Sequence, residues 1–166
     1  MSPNFTADAG LAFERHDHAH CAGSAMARDE ALSEAKGARL TPVRRRTLEI
    51  LLESHRALGA YDVLEKLAQE GFGKQPPVAY RALEFLVEQG FAHRIRRLNA
   101  FTACMNPGTA HRPAFFICRS CSAVAEAQAE AVRTAMDRAA EEIGFAIERV
   151  NLEALGLCHA CAEAAE

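Results

Sequence analysis

At 166 residues the chain has room for one large domain or two small ones, and its 49% hydrophobic content is ordinary for a globular protein. No stretch approaches membrane-spanning length, and the start lacks the basic segment and apolar run of a secretion signal, so the 6 cysteines are expected in the reducing cytoplasm. The net charge of −3 argues against a nucleic-acid binder, yet residues 40–100 carry 10 basic and 7 acidic side chains, the mark of a basic module beside acidic flanks.

Residues 1–27 are polar, small and aperiodic, which predicts a disordered tail. Within it, His16-Asp17-His18-Ala19-His20-Cys21 gathers metal-capable side chains, but on a flexible segment they would hold a metal only weakly. Residues 28–38 read as a short amphipathic helix. Thr41-Pro42 then gives an N-cap followed by proline at the first helical position, with Val43, Thr47, Ile50 and Leu51 at helical spacing. Residues 61–69 form another predicted helix, with Val63, Leu64, Leu67 and Ala68 inward, and Gly71-Phe72-Gly73 breaks it. A third core helix opens at Pro76-Pro77, runs to about Glu88 and is ended by Gly90. It turns Ala79, Ala82, Leu83, Leu86 and Val87 inward, and Tyr80, Arg81 and Glu84 outward.

Residues 91–95 and 101–104 alternate like the two strands of a hairpin. Three helices and a hairpin are the order of a winged helix-turn-helix domain. Asn106-Pro107-Gly108 signals a turn and a hinge. Beyond it, strands are predicted over residues 114–118 and 123–127, a helix over 129–143 and a third strand over 145–152. The fold class expected is therefore α+β, with a small α/β domain whose core is thin after the winged-helix domain.

Two Cys-x-x-Cys pairs, Cys118–Cys121 and Cys158–Cys161, flank most of that second domain. Each turn can aim two thiolates at one point, and two turns supply the four sulfurs of a closed tetrahedral zinc site. Four protein ligands leave no open position, so this zinc is expected to be structural and to compensate for the thin core. Redox dithiols or buried unpaired cysteines are the alternatives, and the spaced repeat of the pair favours zinc.

Leu40-Thr41-Pro42, Ala60-Tyr61-Asp62-Val63-Leu64, Pro76-Pro77-Val78-Ala79-Tyr80-Arg81-Ala82-Leu83, Glu88-Gln89-Gly90-Phe91 and the two Cys pairs together resemble the ferric uptake regulator (Fur) superfamily. Within it, the chain is similar to the zinc uptake regulator (Zur) branch over roughly residues 28 to 162. The resemblance implies a dimeric repressor: residues 1–27 a tail, 28–105 a winged-helix DNA-binding domain, 106–112 a hinge and 113–166 a dimerisation and zinc-binding domain. The family commonly has threonine within its Thr-Val-Tyr-Arg motif, where this chain reads Val78-Ala79-Tyr80-Arg81. Iron-sensing members usually carry a His-His-x-His run before the first Cys pair, whereas here the sequence is His111-Arg112-Pro113-Ala114-Phe115-Phe116.

A second, regulatory zinc site follows from geometry and resemblance together. A two-residue turn at Leu98-Asn99 pairs Ile95 with Thr102 and His93 with Cys104, and cross-strand partners lie about 4.5–5.5 Å apart at Cβ. His111 and Glu126 complete the set from the second domain, at positions equivalent to sensory ligands of the zinc branch. The expectation is two zinc ions per monomer, one structural and one regulatory. Arg81 is the candidate for reading guanine, since its guanidinium donates two parallel hydrogen bonds to O6 and N7. Tyr61 resembles a second base-contacting position, while Tyr80 and Arg44 suit the sugar-phosphate backbone.

The expected function is therefore a zinc-responsive repressor of zinc uptake genes that binds operator DNA as a homodimer. Its rivals are a sibling sensor of iron, manganese or peroxide and a zinc enzyme. Cys104 is a soft ligand that suits zinc, and the chain has no His-x-Glu to move protons as in a zinc deaminase. The chain is not expected to be an enzyme.

Overall fold

The computed structural model describes residues 12, 13 and 17–164. Helix α1 spans His18–Ala35, and its N-cap Asp17 accepts hydrogen bonds from the backbone N–H groups of Ala19 and His20. The helix starts ten residues ahead of the expected one, so residues 18–27 are helical and not part of a disordered tail. The remainder of the expected tail, residues 1–11 and 14–16, lies outside the described residues. Periodicity hides this helix because its inner face carries Asp29 and Ser33 along with Met26.

Helix α2 (Pro42–Leu52) begins with proline at its first position, although the Thr41 side chain makes no capping bond. A two-residue strand β1 (Leu58–Gly59) leads into α3 (Ala60–Gln69), where Asp62 reaches back to the Gly59 N–H at 2.9 Å. Helix α4 (Pro76–Glu88) buries Ala82 and packs Ala79, Leu83 and Leu86 against Leu48, Leu51, Val63 and Leu67 of the two preceding helices. Gly90 ends α4 at φ 79°, a conformation that suits glycine. The chain turns there so that the Phe91 N–H bonds the Leu86 carbonyl at 2.8 Å, which locks fully buried Phe91 at the foot of the hairpin.

The hairpin strands are β2 (Ala92–Ile95) and β3 (Ala100–Ala103), and with β1 they form a sheet in the order β1-β3-β2. Its register differs from expectation by two residues. Ile95 pairs with Ala100 and His93 with Thr102, because the turn is four residues long: Asn99 donates its N–H to the Arg96 carbonyl and takes φ 47°. A two-residue shift keeps every side chain on its face, so His93 and Cys104 still share one. Three helices capped by this hairpin make a winged helix-turn-helix unit.

The second half is a three-stranded sheet in the order β5-β4-β6, comprising β4 (Pro113–Cys118), β5 (Val124–Gln128) and β6 (Leu152–Gly156). Strand β6 runs parallel to β4 and is reached through α5 (Glu130–Glu142). The expected strand over residues 145–152 lies later in the chain, because the register pairs Ala114 with Leu152 and Cys118 with Gly156. Helix α6 (His159–Glu163) closes the described chain, and α5 buries only Ala140, so the core here is thin.

The two halves touch through Ile95, which packs with Phe115, Ile117, Val124 and Ala57. Backbone bonds from Val124 N–H to the His55 carbonyl (2.8 Å) and from Ala57 N–H to the Ser122 carbonyl (3.2 Å) join them as well. Helix α1 grips the connection between the halves. Arg28 donates to the Met105 carbonyl, and Gly108, at φ 87°, lies so close to Leu32 that a Cβ there would come within 3.0 Å of it.

Candidate metal centres and nucleic-acid face

Parallel pairing of β4 with β6 brings the two Cys pairs together. The first pair begins at the last residue of β4, where the Ser122 N–H bonds the Cys118 carbonyl and Ser122 takes φ 61°. In the second pair, Cys158 is the N-cap of α6 and Cys161 lies in its first turn. The sulfurs of Cys118, Cys121, Cys158 and Cys161 all lie within 4.8 Å of one another, with Cys121 and Cys158 at 3.9 Å. Ligand atoms around tetrahedral zinc stand roughly 3.3–3.8 Å apart given its bond lengths, so a small contraction completes the site.

The charge balance of the four sulfurs favours a cation. Burial works against ionising Cys118, yet the N–H groups of Cys158, Cys121 and Ser120 lower its pKa to about 6. Burial and then the neighbouring sulfurs push Cys121 up to about 12. Four thiolates cannot coexist this closely without positive charge between them, and a divalent soft-ligand metal supplies it.

The second set takes two ligands from each half. His93 comes from β2, Cys104 from the end of the β3 ladder, His111 from the segment before β4 and Glu126 from β5, and their ligand atoms also lie within 4.8 Å of one another. Cys104 is fully buried and Glu126 is 6% exposed. The His111 Nδ1 lies 2.8 Å from the Thr109 carbonyl, which can only accept, so Nδ1 carries a proton and Nε2 is the ring nitrogen turned toward the set. That nitrogen lies 2.6 Å from the Glu126 carboxylate and 3.5 Å from the Cys104 sulfur. His93 Nε2 is buried 3.4 Å from the same carboxylate and makes no hydrogen bond. Four metal-capable groups converging on one point, with a buried imidazole nitrogen that makes no hydrogen bond among them, fit a metal ion.

Burial and then the Glu126 charge push the Cys104 thiol up to about 12. Burial alone would raise the Glu126 carboxyl, but His93, the Met105 N–H and His111 bring it below its ordinary value. The set therefore holds a ready carboxylate and a thiol that must lose its proton on metal binding. The Thr109 carbonyl and Met105 N–H that orient the set are backbone groups, which leave no signature in a sequence.

In the winged-helix unit, Tyr61 of α3 (67% exposed) and Tyr80 (36%) and Arg81 of α4 are exposed. The two tyrosine rings meet edge to face at 6.5 Å. Arg44 is half-buried, stacks on Phe85 at 3.6 Å and donates to the Arg39 carbonyl. Its neighbours are committed within the chain: Arg45 pairs with Glu30 and Glu49, and Arg46 with Glu49, Glu53 and Glu70. Of the histidine-rich cluster, His16 lies outside the described residues, Asp17 caps α1, and His20 and Cys21 lie in its first turn. Among the described residues it joins no set of three converging ligands.

The sequence profile of the ferric uptake regulator family matches residues 35–155. The chain is 39% identical over 139 residues to the zinc uptake regulation protein of Escherichia coli (strain K12), covering 83% of this chain and 81% of that protein. A solved zinc uptake regulator complexed with zinc and DNA superposes at a TM-score of 0.80 with 37% identity, over 87% of this chain and 97% of the other. Holo XcZur superposes at 0.74 with 33% identity, over 84% of this chain and 98% of its own. Its apo form reaches only 0.51 at 34% identity, over 86% and 99%, so this structure is nearer the holo form than the apo form.

Proposed function

The chain belongs to the ferric uptake regulator family, and from that premise we propose that it is a zinc-responsive transcriptional repressor that binds operator DNA as a homodimer and represses zinc uptake genes. The observation that carries this reading is the set His93, Cys104, His111 and Glu126, with two ligands on each side of the junction between the halves. Such a set ties the arrangement of the halves to metal occupancy. The two zinc ions per monomer divide the work: Cys118, Cys121, Cys158 and Cys161 hold one as part of the fold, and the mixed set holds the other reversibly. Bound there, the regulatory zinc supplies two positive charges that neutralise the Glu126 carboxylate and the Cys104 thiolate. Cys104 distinguishes this site from the oxygen-rich sets that suit iron or manganese.

Residues 28–105 act as the DNA-binding unit, 106–112 as the hinge and 113–166 as the dimerisation unit, with the first ten residues of α1 added to the first. Helix α4 enters the major groove, Arg81 reads guanine, Tyr61 touches a second base, and Tyr80 and Arg44 rest on the backbone. Arg44 must leave Phe85 or reach past it to do so. A second copy covers Val132, Met136, Ile143, Phe145, Leu155 and Leu157, all exposed on α5, β6 and the segments beside them. Strand β6 also leaves one edge of its sheet unpaired among the described strands. Two recognition helices at a fixed separation then meet successive major grooves. No helix of the described residues is long and apolar enough to cross a membrane, and we place the protein in the cytoplasm with its DNA.

The test is zinc stoichiometry before and after mild chelation, with DNA binding followed in parallel. Two zinc ions per monomer, one easily removed and its loss abolishing DNA binding, is the expected result. A single tightly held zinc with chelation-insensitive DNA binding overturns the reading.

A further inference from the structure

Three residues form one row across the second sheet. Phe115 on β4 is the register partner of Glu126 on β5 and of Glu153 on β6, and partners in adjacent strands point to the same face. That face is the one the wing hairpin rests on. At one end of the row Glu126 meets His93, and in the middle Phe115 packs on Ile95 and lies 5.3 Å from the His93 ring. At the other end both carboxylate oxygens of half-buried Glu153 accept backbone N–H bonds from the wing turn, Oε1 from Arg96 at 2.7 Å and Oε2 from Arg97 at 3.0 Å.

We infer that Glu153 is a positioning residue, a metal-independent clamp that holds the wing turn on the second sheet and so biases the protein toward its DNA-ready arrangement. This rests on the zinc-repressor reading and deepens it. The metal set and Glu153 grip opposite ends of the same hairpin, and the arrangement that has both is the holo-like one. Backbone N–H groups present the same target whatever side chains occupy the turn, and a carboxylate on two of them makes charge-assisted bonds. Without the clamp, part of the zinc binding energy goes into closing the halves, so the regulatory zinc binds more weakly and the zinc-free protein closes less often.

The sign of the effect separates this from a simple charge effect. A carboxylate beside Arg94, Arg96 and Arg97 lowers the local positive potential, so its removal would strengthen DNA binding if charge were all it supplied. The clamp predicts the reverse. The experiment uses the full-length dimer, zinc delivered from a competing chelator, and a duplex selected from a randomised library by the zinc-loaded wild type. Glu153→Ala is expected to weaken regulatory zinc binding and zinc-free duplex binding by roughly five- to thirtyfold each. Structural zinc content and dimer mass should stay unchanged. Glu153→Gln removes the same charge but keeps one accepting oxygen and the side-chain volume, so it should lose less. Equal losses in the two variants, unchanged zinc affinity in both, or stronger duplex binding overturn the clamp. A wild type that binds the duplex without regard to zinc instead overturns the reading on which it rests.

Discussion

Arg81 is exposed on α4 without an ion pair among the described residues, while the run Arg44–Arg46 is engaged within the chain. Two of those three arginines are held by Glu30, Glu49, Glu53 and Glu70, which means the charge count of residues 40–100 overstates the cations available to phosphate. Arg81→Ala should therefore cost about 1–3 kcal/mol of specific DNA binding and relax preference at one base position per half-site. Zinc content and dimer mass should not change, and a competition assay between selected and scrambled duplexes measures the loss. At the mixed metal set the Cys104 thiol, pushed up to about 12, is protonated at neutral pH. Binding zinc expels that proton, so raising the pH favours the bound state. Regulatory zinc affinity should rise about tenfold per pH unit near neutrality from this thiol alone. Chelator competition at pH 7 and pH 8 checks it, and Cys104→Ser should flatten the dependence along with the zinc-dependent gain in DNA affinity.

Helices with a one-sided apolar pattern were legible in the sequence to within a few residues, as α3, α4 and α5 are. The start of α1 was not, since Asp29 and Ser33 occupy positions where periodicity looks for apolar side chains. The hairpin register failed by two because the turn takes four residues, yet an even error leaves faces intact, and the metal set could be assembled from the wrong pairing. Strand β6 was misplaced because its only partner among the described strands is β4, some forty residues away and parallel, and nothing local announces that register. Glu153 went unread for the same reason. Where β4 and β6 meet, the four cysteines stand close enough to fasten them together through a metal ion. Cys118→Ser should remove the tightly held zinc, lower the melting temperature and weaken dimerisation, read by metal analysis, calorimetry and molar mass. The grip of α1 on the connection is testable too. Gly108→Ala adds a Cβ against Leu32 at a positive φ and should cost about 1–3 kcal/mol by denaturant unfolding. In the Leu32→Ala background the crowding part of that cost should disappear and the backbone part remain.

The molecule as a whole is two units joined by a short connection, with the proposed metal set between them. Zinc-dependent DNA binding in such an arrangement is reciprocal, so the duplex tightens zinc by the factor by which zinc tightens the duplex. The burial of Cys104 and Glu126 between the units has a further consequence, one of timing. A chelator reaches these ligands readily only when the halves part, and a protein seated across two grooves holds them together. Zinc should thus leave the free dimer quickly and the DNA-bound dimer slowly, at a rate set by dissociation from the operator. Stopped-flow chelation with and without saturating duplex measures the two rates, and equal rates would mean the metal escapes without any parting of the halves. With slow release on DNA the repressor would carry a short memory: engaged copies go on reporting plenty after the supply has fallen, and a cell entering zinc shortage relieves repression only as fast as they let go.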